Sequence, residues 1–234
     1  MDTYTLRARL YPALFVVFPI VLTLLAAFPE GPASWAVYWT LFVSSGGAFF
    51  LAQVGRDPGL EKQRRLYKKW GGKPTTIKLR HRGHTNRTYL GIVHQKLDHL
   101  FPDRHVPTVS EEQADPKAAD EAYDAYVADL RALTRDQSRF PLLFEEDCNY
   151  GFRRNVWGMR PWGILMAVLG LISAVVLILF MPHARPDSAV RLLVVAGMLD
   201  FVLILVWIIA VTPSWVKITA DAYADQLLAA SLLF

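Results

Sequence analysis

Four apolar runs, each about as long as a bilayer's hydrocarbon core is thick, constrain this 234-residue chain more than anything else in it. Leu10 to Phe28 contains no charge, and at about 1.5 Å per residue it crosses roughly 30 Å. Trp35 to Val54, Trp162 to Met181 and Val190 to Val211 repeat the pattern. A backbone in lipid must satisfy its own polar groups, so the expected form of each run is a helix. The expected class is therefore an all-α polytopic membrane protein with four transmembrane helices in two hairpins. The expected divisions are 1–54, first hairpin; 55–160, a small, mostly helical cytoplasmic domain; 161–212, second hairpin; and 213–234, an amphipathic cytoplasmic helix.

Orientation follows from where the cations sit. Arg7 and Arg9 precede the first run, Arg56 to Lys69 follows the second, Arg153, Arg154 and Arg160 precede the third, and Lys217 follows the fourth. The positive-inside bias places both termini and residues 55–160 in the cytoplasm, with both turns outside. Cys148 is the only cysteine, which excludes an intrachain disulfide and a cysteine-based zinc site.

The insert is two blocks of opposite charge. Arg56 to Arg104 carries thirteen basic and four acidic side chains, while Glu111 to Asp147 carries four basic and eleven acidic. The blocks either pair with each other or keep a binding face apart from a free one. Asp57-Pro58 reads as a helix start and Gly71-Gly72 as its stop. Thr75 to Arg80 alternates like a short strand. Asn86 caps a helix with apolar positions Leu90, Val93, Leu97 and Leu100. Asp115-Pro116 opens another, striped by Ala119, Tyr123, Tyr126, Leu130 and Leu133. Asn149-Tyr150-Gly151 reads as a turn.

Small residues mark helix contacts: Ser44, Gly46 and Gly47 in the second run, Gly170 and Ala174 in the third. The contact is made either within the chain or between subunits. Asp200 lies near the middle of the fourth run, where a carboxylate is costly unless it is neutral, partnered or wet. It either lines a lumen or subunit contact, or bonds a hydroxyl such as Ser44, Ser45 or Ser173.

Gly71-Gly72-Lys73-Pro74-Thr75-Thr76 has the ingredients of a phosphate loop but the wrong spacing, with Tyr67 where a glycine is needed and Pro74 where magnesium needs a hydroxyl. The weaker form is a pocket for an anionic, phosphate-bearing ligand made by Lys73, Thr75, Thr76, Arg80, Arg82 and Arg87, with Arg153 and Arg154 as further anion contacts. Anionic lipid headgroups would use such residues equally well. His81, His84, His94 and His99 are close in sequence but lack the carboxylate or cysteine company of a metal site, so no metal, cofactor or nucleic acid is expected. Tyr150-Gly151-Phe152-Arg153-Arg154-Asn155 either anchors the interface or transmits a signal to the third span.

Leu66-Tyr67-x-x-Trp70-Gly71-Gly72-Lys73-Pro74-Thr75-Thr76, Leu79-Arg80-His81-Arg82, Thr134-Arg135-Asp136 and Tyr150 to Asn155 resemble strings from uncharacterised bacterial integral membrane proteins. The layout as a whole resembles the small four-span effectors of nucleotide-signalled antiphage defence. That resemblance implies ligand-triggered membrane disruption; the small-residue faces point to a homo-oligomer in a bacterial inner membrane, and the insert to a cytosolic nucleotide or a protein as partner. Two other classes stay open. One is a non-conducting scaffold that recruits a protein through the acidic helix. The other is a membrane enzyme acting on a lipid or phosphorylated substrate, with His81 or His94 as base; no motif supplies a catalytic residue.

Overall fold

The computed structural model describes residues 2–28, 47–83, 86–180 and 187–234. These residues are helical almost throughout: α1 Thr3–Ala27, α2 Gly47–Trp70, α3 Pro74–Leu79, α4 Arg87–Leu100, α5 Val109–Ala114, α6 Pro116–Leu133, α7 Pro141–Gly158, α8 Arg160–Phe180, α9 Asp187–Ala210 and α10 Pro213–Ser231. Three of them, α1, α8 and α9, are long and apolar enough to cross a membrane. Most of the second expected run, with Ser44, Ser45 and Gly46, lies outside the described residues, and Gly47 opens α2. The chain divides into two compact units, residues 1–63 with 151–216, and residues 64–150 with 217–234. Those boundaries fall inside α2, α7 and α10.

In the first unit α1, α8 and α9 pack against one another. The buried residues of α8 are Gly163, Ala167, Gly170 and Ala174. Spaced four, three and four apart, they form one stripe without bulk, which lets neighbouring backbones approach. A Cβ on Gly163 would lie 2.2 Å from the Trp207 ring. Opposite faces carry apolar side chains turned outward, with Phe180 77% and Ile209 70% exposed. Such surface is unfavourable in water and suited to lipid.

Two turns near one end of this bundle are wider than α-helical. Tyr11 N–H bonds Leu6 O, and Val211 N–H bonds Val206 O, each five residues back. Pro12 has no N–H to give the carbonyl of Ala8, four residues earlier, so that oxygen needs another donor. Asn155, fully buried, supplies it from Nδ2 at 2.6 Å. Arg160 Nη2 likewise donates to Ile208 O at 3.0 Å, a cation on the last carbonyls of α9.

The second unit is a small helical domain. Its core includes Leu66, Leu79, Val93, Leu97, Tyr123 and Leu130, each at most 1% exposed. The α4 and α6 stripes are buried as the spacing predicts except at their C-terminal ends, where Leu100 is half-buried and Leu133 is 44% exposed. Asn86 accepts from Tyr89 N–H, and Asp115 accepts from Lys117 and Ala118 N–H, so both expected caps form.

Three local expectations are corrected. Asp57-Pro58 does not begin a helix, because α2 runs through with Pro58 in its interior. What overrides the cap signal is a crossing so close that a Cβ on Gly158 would lie 2.5 Å from the Gly59 nitrogen. Thr75 to Leu79 is helix rather than strand, started by Pro74 in its first turn, with Thr75, Thr76 and Leu79 buried. Asn149-Tyr150-Gly151 is not a turn, because it lies inside α7, where Gly151 makes room for Tyr4 and Ala8.

Candidate functional site

Each unit holds one polar constellation that its core does not require. Within the spans it is Asp200, fully buried on α9. Thr23 on α1 donates to its Oδ2 at 2.9 Å, and Gly170 on α8 backs the same oxygen. A Cβ at Gly170 would lie 2.4 Å from Oδ2, so glycine is what leaves space for the carboxyl group. The hydroxyl partner is thus Thr23, not Ser173, while Ser44 and Ser45 lie outside the described residues. Oδ1 has no hydrogen-bond partner among the described residues. A buried oxygen without a donor is expensive in hydrocarbon, and no packing demand for a carboxyl is visible there.

At the basic end of the same unit lies the Tyr150 to Asn155 string. Arg153 donates Nη1 to Trp215 O at 3.0 Å and stacks over the Trp215 ring. Arg154 is buried and bonds Asn155 Oδ1 and Gln63 Oε1. Lys62 Nζ donates to Gly158 O at 2.6 Å. These side chains fasten helix to helix, and Arg154 is almost wholly withdrawn from solvent.

In the second unit the basic and acidic blocks meet. Arg80 grips Asp120 through Nε at 2.8 Å and Nη2 at 2.7 Å. Lys73 Nζ reaches Asp124 at 2.5 Å, and Thr76 donates to the same carboxylate. Arg82 spans Glu112 at 3.3 Å and Asp120 at 2.9 Å. Three cations, Lys73, Arg80 and Arg82, therefore face three carboxylates, Glu112, Asp120 and Asp124, and the cluster is neutral. The glycine turn serves this pairing: Gly72, at φ +149°, passes so near Arg80 that a Cβ would lie 2.6 Å from Nη2. Thr75 is buried in α3, whereas Arg87 is exposed at the start of α4 and has no ion-pair partner among the described residues.

Glu112 is the node that sequence reasoning missed. It accepts from His81 N–H at 2.7 Å, Arg82 N–H at 3.0 Å and the Tyr123 hydroxyl at 2.8 Å. Burial alone would raise its carboxyl pKa, but these donors and the Arg82 charge hold it below the ordinary value. Burial and the bond to Glu112 push the Tyr123 phenol up. His94 Nε2 donates to Leu79 O at 2.8 Å and His81 Nε2 to Pro107 O at 2.9 Å, carbonyls that accept only from an N–H. Burial pulls the His94 pKa down to about 4, against the opposing pull of the Leu79 carbonyl. His99 is exposed, His84 lies outside the described residues, and no cluster of three metal-ligating side chains occurs among those described. A signal for α5 was present in the sequence: Thr108 and Glu111 form a reciprocal capping box. No local signal pairs Thr23 with Asp200.

The fold and these sites define a polytopic, largely helical membrane protein with a small helical domain outside the spans. No protein-family model, curated protein or solved structure matches the chain.

Proposed function

We propose that the chain is an effector of the bacterial cytoplasmic membrane that raises bilayer permeability when its bundle opens or assembles with further copies. The observation that carries this reading is Asp200, a buried carboxyl with one unpartnered oxygen among three spans. Among the described residues nothing donates to that oxygen. Water, a cation or a second subunit would, so rearrangement gains a polar contact that the closed form lacks. The layout's resemblance to four-span antiphage effectors supports the same reading, as does the cation bias, with termini and soluble unit in the cytoplasm facing anionic headgroups. The rival classes have less support. Asp120 and Asp124, which a scaffold's partner would have to reach, are occupied by Arg80 and Lys73. His81 and His94 are tied to backbone carbonyls, which leaves an enzyme without a free base at Nε2.

Vesicles of anionic lipid carrying the full chain test the proposal, with release of a trapped dye and decay of an imposed potential as readouts. Leakage that rises with protein density and falls in Asp200→Leu is expected. Vesicles that stay sealed at every density, with the protein inserted and helical, would refute it.

A further inference from the structure

We infer that the cavity beside Arg87 is a binding site for a small soluble phosphate monoester with a flat apolar body. A separate cavity of about 310 Å³ at the spans is lined mainly by apolar side chains, whereas this one, of about 280 Å³, is lined by both charge and apolar surface. Arg87, Leu90 and Gly91 form one wall, since positions three and four apart share a helix face. Val109, Glu112 and Gln113 on α5 form the facing wall by the same spacing, and His81, Arg82 and Gly83 close one side.

Its charge distinguishes it from the neighbouring hollow at Lys73. In that hollow Asp120 and Asp124 keep 29% and 34% of their side-chain surface open, so an arriving anion meets carboxylates. Among the described residues the only carboxylate lining the Arg87 cavity is Glu112, whose side chain is 3% exposed and whose two oxygens already take inward N–H and O–H donors. Arg87 is exposed without an ion-pair partner among the described residues, and Arg82 spends only two of its five N–H donors on carboxylates. The cavity lining thus holds the Arg87 guanidinium together with the unspent N–H donors of Arg82, and the planar donor fork of arginine suits a phosphate.

The rest of the lining selects the body of the ligand. Val109 is 51% exposed although apolar, and a Cβ on Gly91 would meet nothing within 4 Å. A glycine in mid-helix costs helix stability, and neither crossing nor turn demands one at Gly91. What it leaves is open space in a lining that also holds the apolar Leu90 and Val109. A volume of about 280 Å³ lies at the small end of ligand pockets, which favours a small monoester over a dinucleotide. The site deepens the effector reading by naming where its soluble signal would sit, and it rests on that reading only for this consequence.

The test uses the full chain in nanodiscs and phenyl phosphate as probe, with inorganic phosphate and phenol for comparison, followed by calorimetric titration. Saturable binding of phenyl phosphate is expected, weaker binding of inorganic phosphate, and none of phenol. Arg87→Ala should weaken phenyl phosphate by roughly tenfold or more, the worth of a charge-assisted bond. Gly91→Leu, which fills open space and favours the helix, should abolish binding with helicity unchanged. Binding that is absent, or that ignores both substitutions, overturns the proposal. So does binding seen in neutral-lipid discs and lost in anionic ones, which would make lipid headgroups the occupant. Because no permeability is measured, failure here leaves the vesicle experiment standing, and failure there leaves this one.

Discussion

Acidifying the solution from about pH 7 to about pH 5 should loosen the soluble unit through one side chain, His94. Its ring is 8% exposed, stands edge-on to His81 at 4.7 Å and stacks on Tyr123 at 5.9 Å. With Nε2–H given to Leu79 O, the neutral ring is satisfied, and a second proton puts a charge into the core. The folded pKa is about 4 against an ordinary 6.5, so the unfolded chain binds the extra proton first as pH falls. A histidine depressed in this way stabilises the fold fully above the ordinary value, and that contribution is lost between there and the folded value. Linkage over this interval gives a loss of about 2 kcal/mol at pH 5, rising to about 3 kcal/mol below pH 4. Glu111, held at about 2 chiefly by Thr108 N–H and its hydroxyl, titrates below this window. Hydrogen exchange along α4 and α6, corrected for intrinsic rates, reads the effect. His94→Gln keeps an amide donor for Leu79 O but cannot titrate, so its protection should stay flat. Protection that is equal at both pH values in the parent, or that falls equally in His94→Gln, would refute the assignment.

Two further outcomes test the frame. Gly158→Val places a side chain where a Cβ alone would lie 2.6 Å from Gly59 Cα, so the detergent-solubilised protein should lose about 1–3 kcal/mol, read as a lower thermal midpoint; an unchanged midpoint would contradict the crossing. In a double-mutant cycle with Arg80→Ala and Asp120→Ala, the paired bonds at 2.8 and 2.7 Å and a guanidinium side chain only 12% exposed should show coupling of about 1–2 kcal/mol in denaturant titrations. Strictly additive single effects would mean that the pair is a bystander.

What was legible in the sequence was whatever depends on short range. The α4 and α6 helices were readable because a cap, a 3.6-residue stripe and a stop all lie within one segment. Three spans were readable because lipid imposes a length. Thr75-Thr76-Ile77 was misread because β-branched residues look like strand, while the deciding facts were Pro74 at a helix start and a core waiting for Leu79. Gly151 was punctuation in the sequence and a contact surface in the fold. The two charge blocks were visible, but the pairing of Arg80 with a residue 40 positions on was not. Still less visible was the bond from Thr23 to a residue 177 positions away. Side-chain chemistry announced which groups needed partners, and only tertiary structure chose them.

The wide turn at Leu6 to Leu10 has a mechanical corollary. One surplus residue in a helical circuit rotates everything upstream by roughly 100° against everything downstream. The cations Arg7 and Arg9 therefore keep an angular position that the lipid-facing pattern of Tyr11 to Ala27 does not dictate. Asn155, clasping the oxygen of Ala8, acts as the pawl on that ratchet: it fixes which notch the segment occupies, and with it the heading of the first basic side chains in the polypeptide.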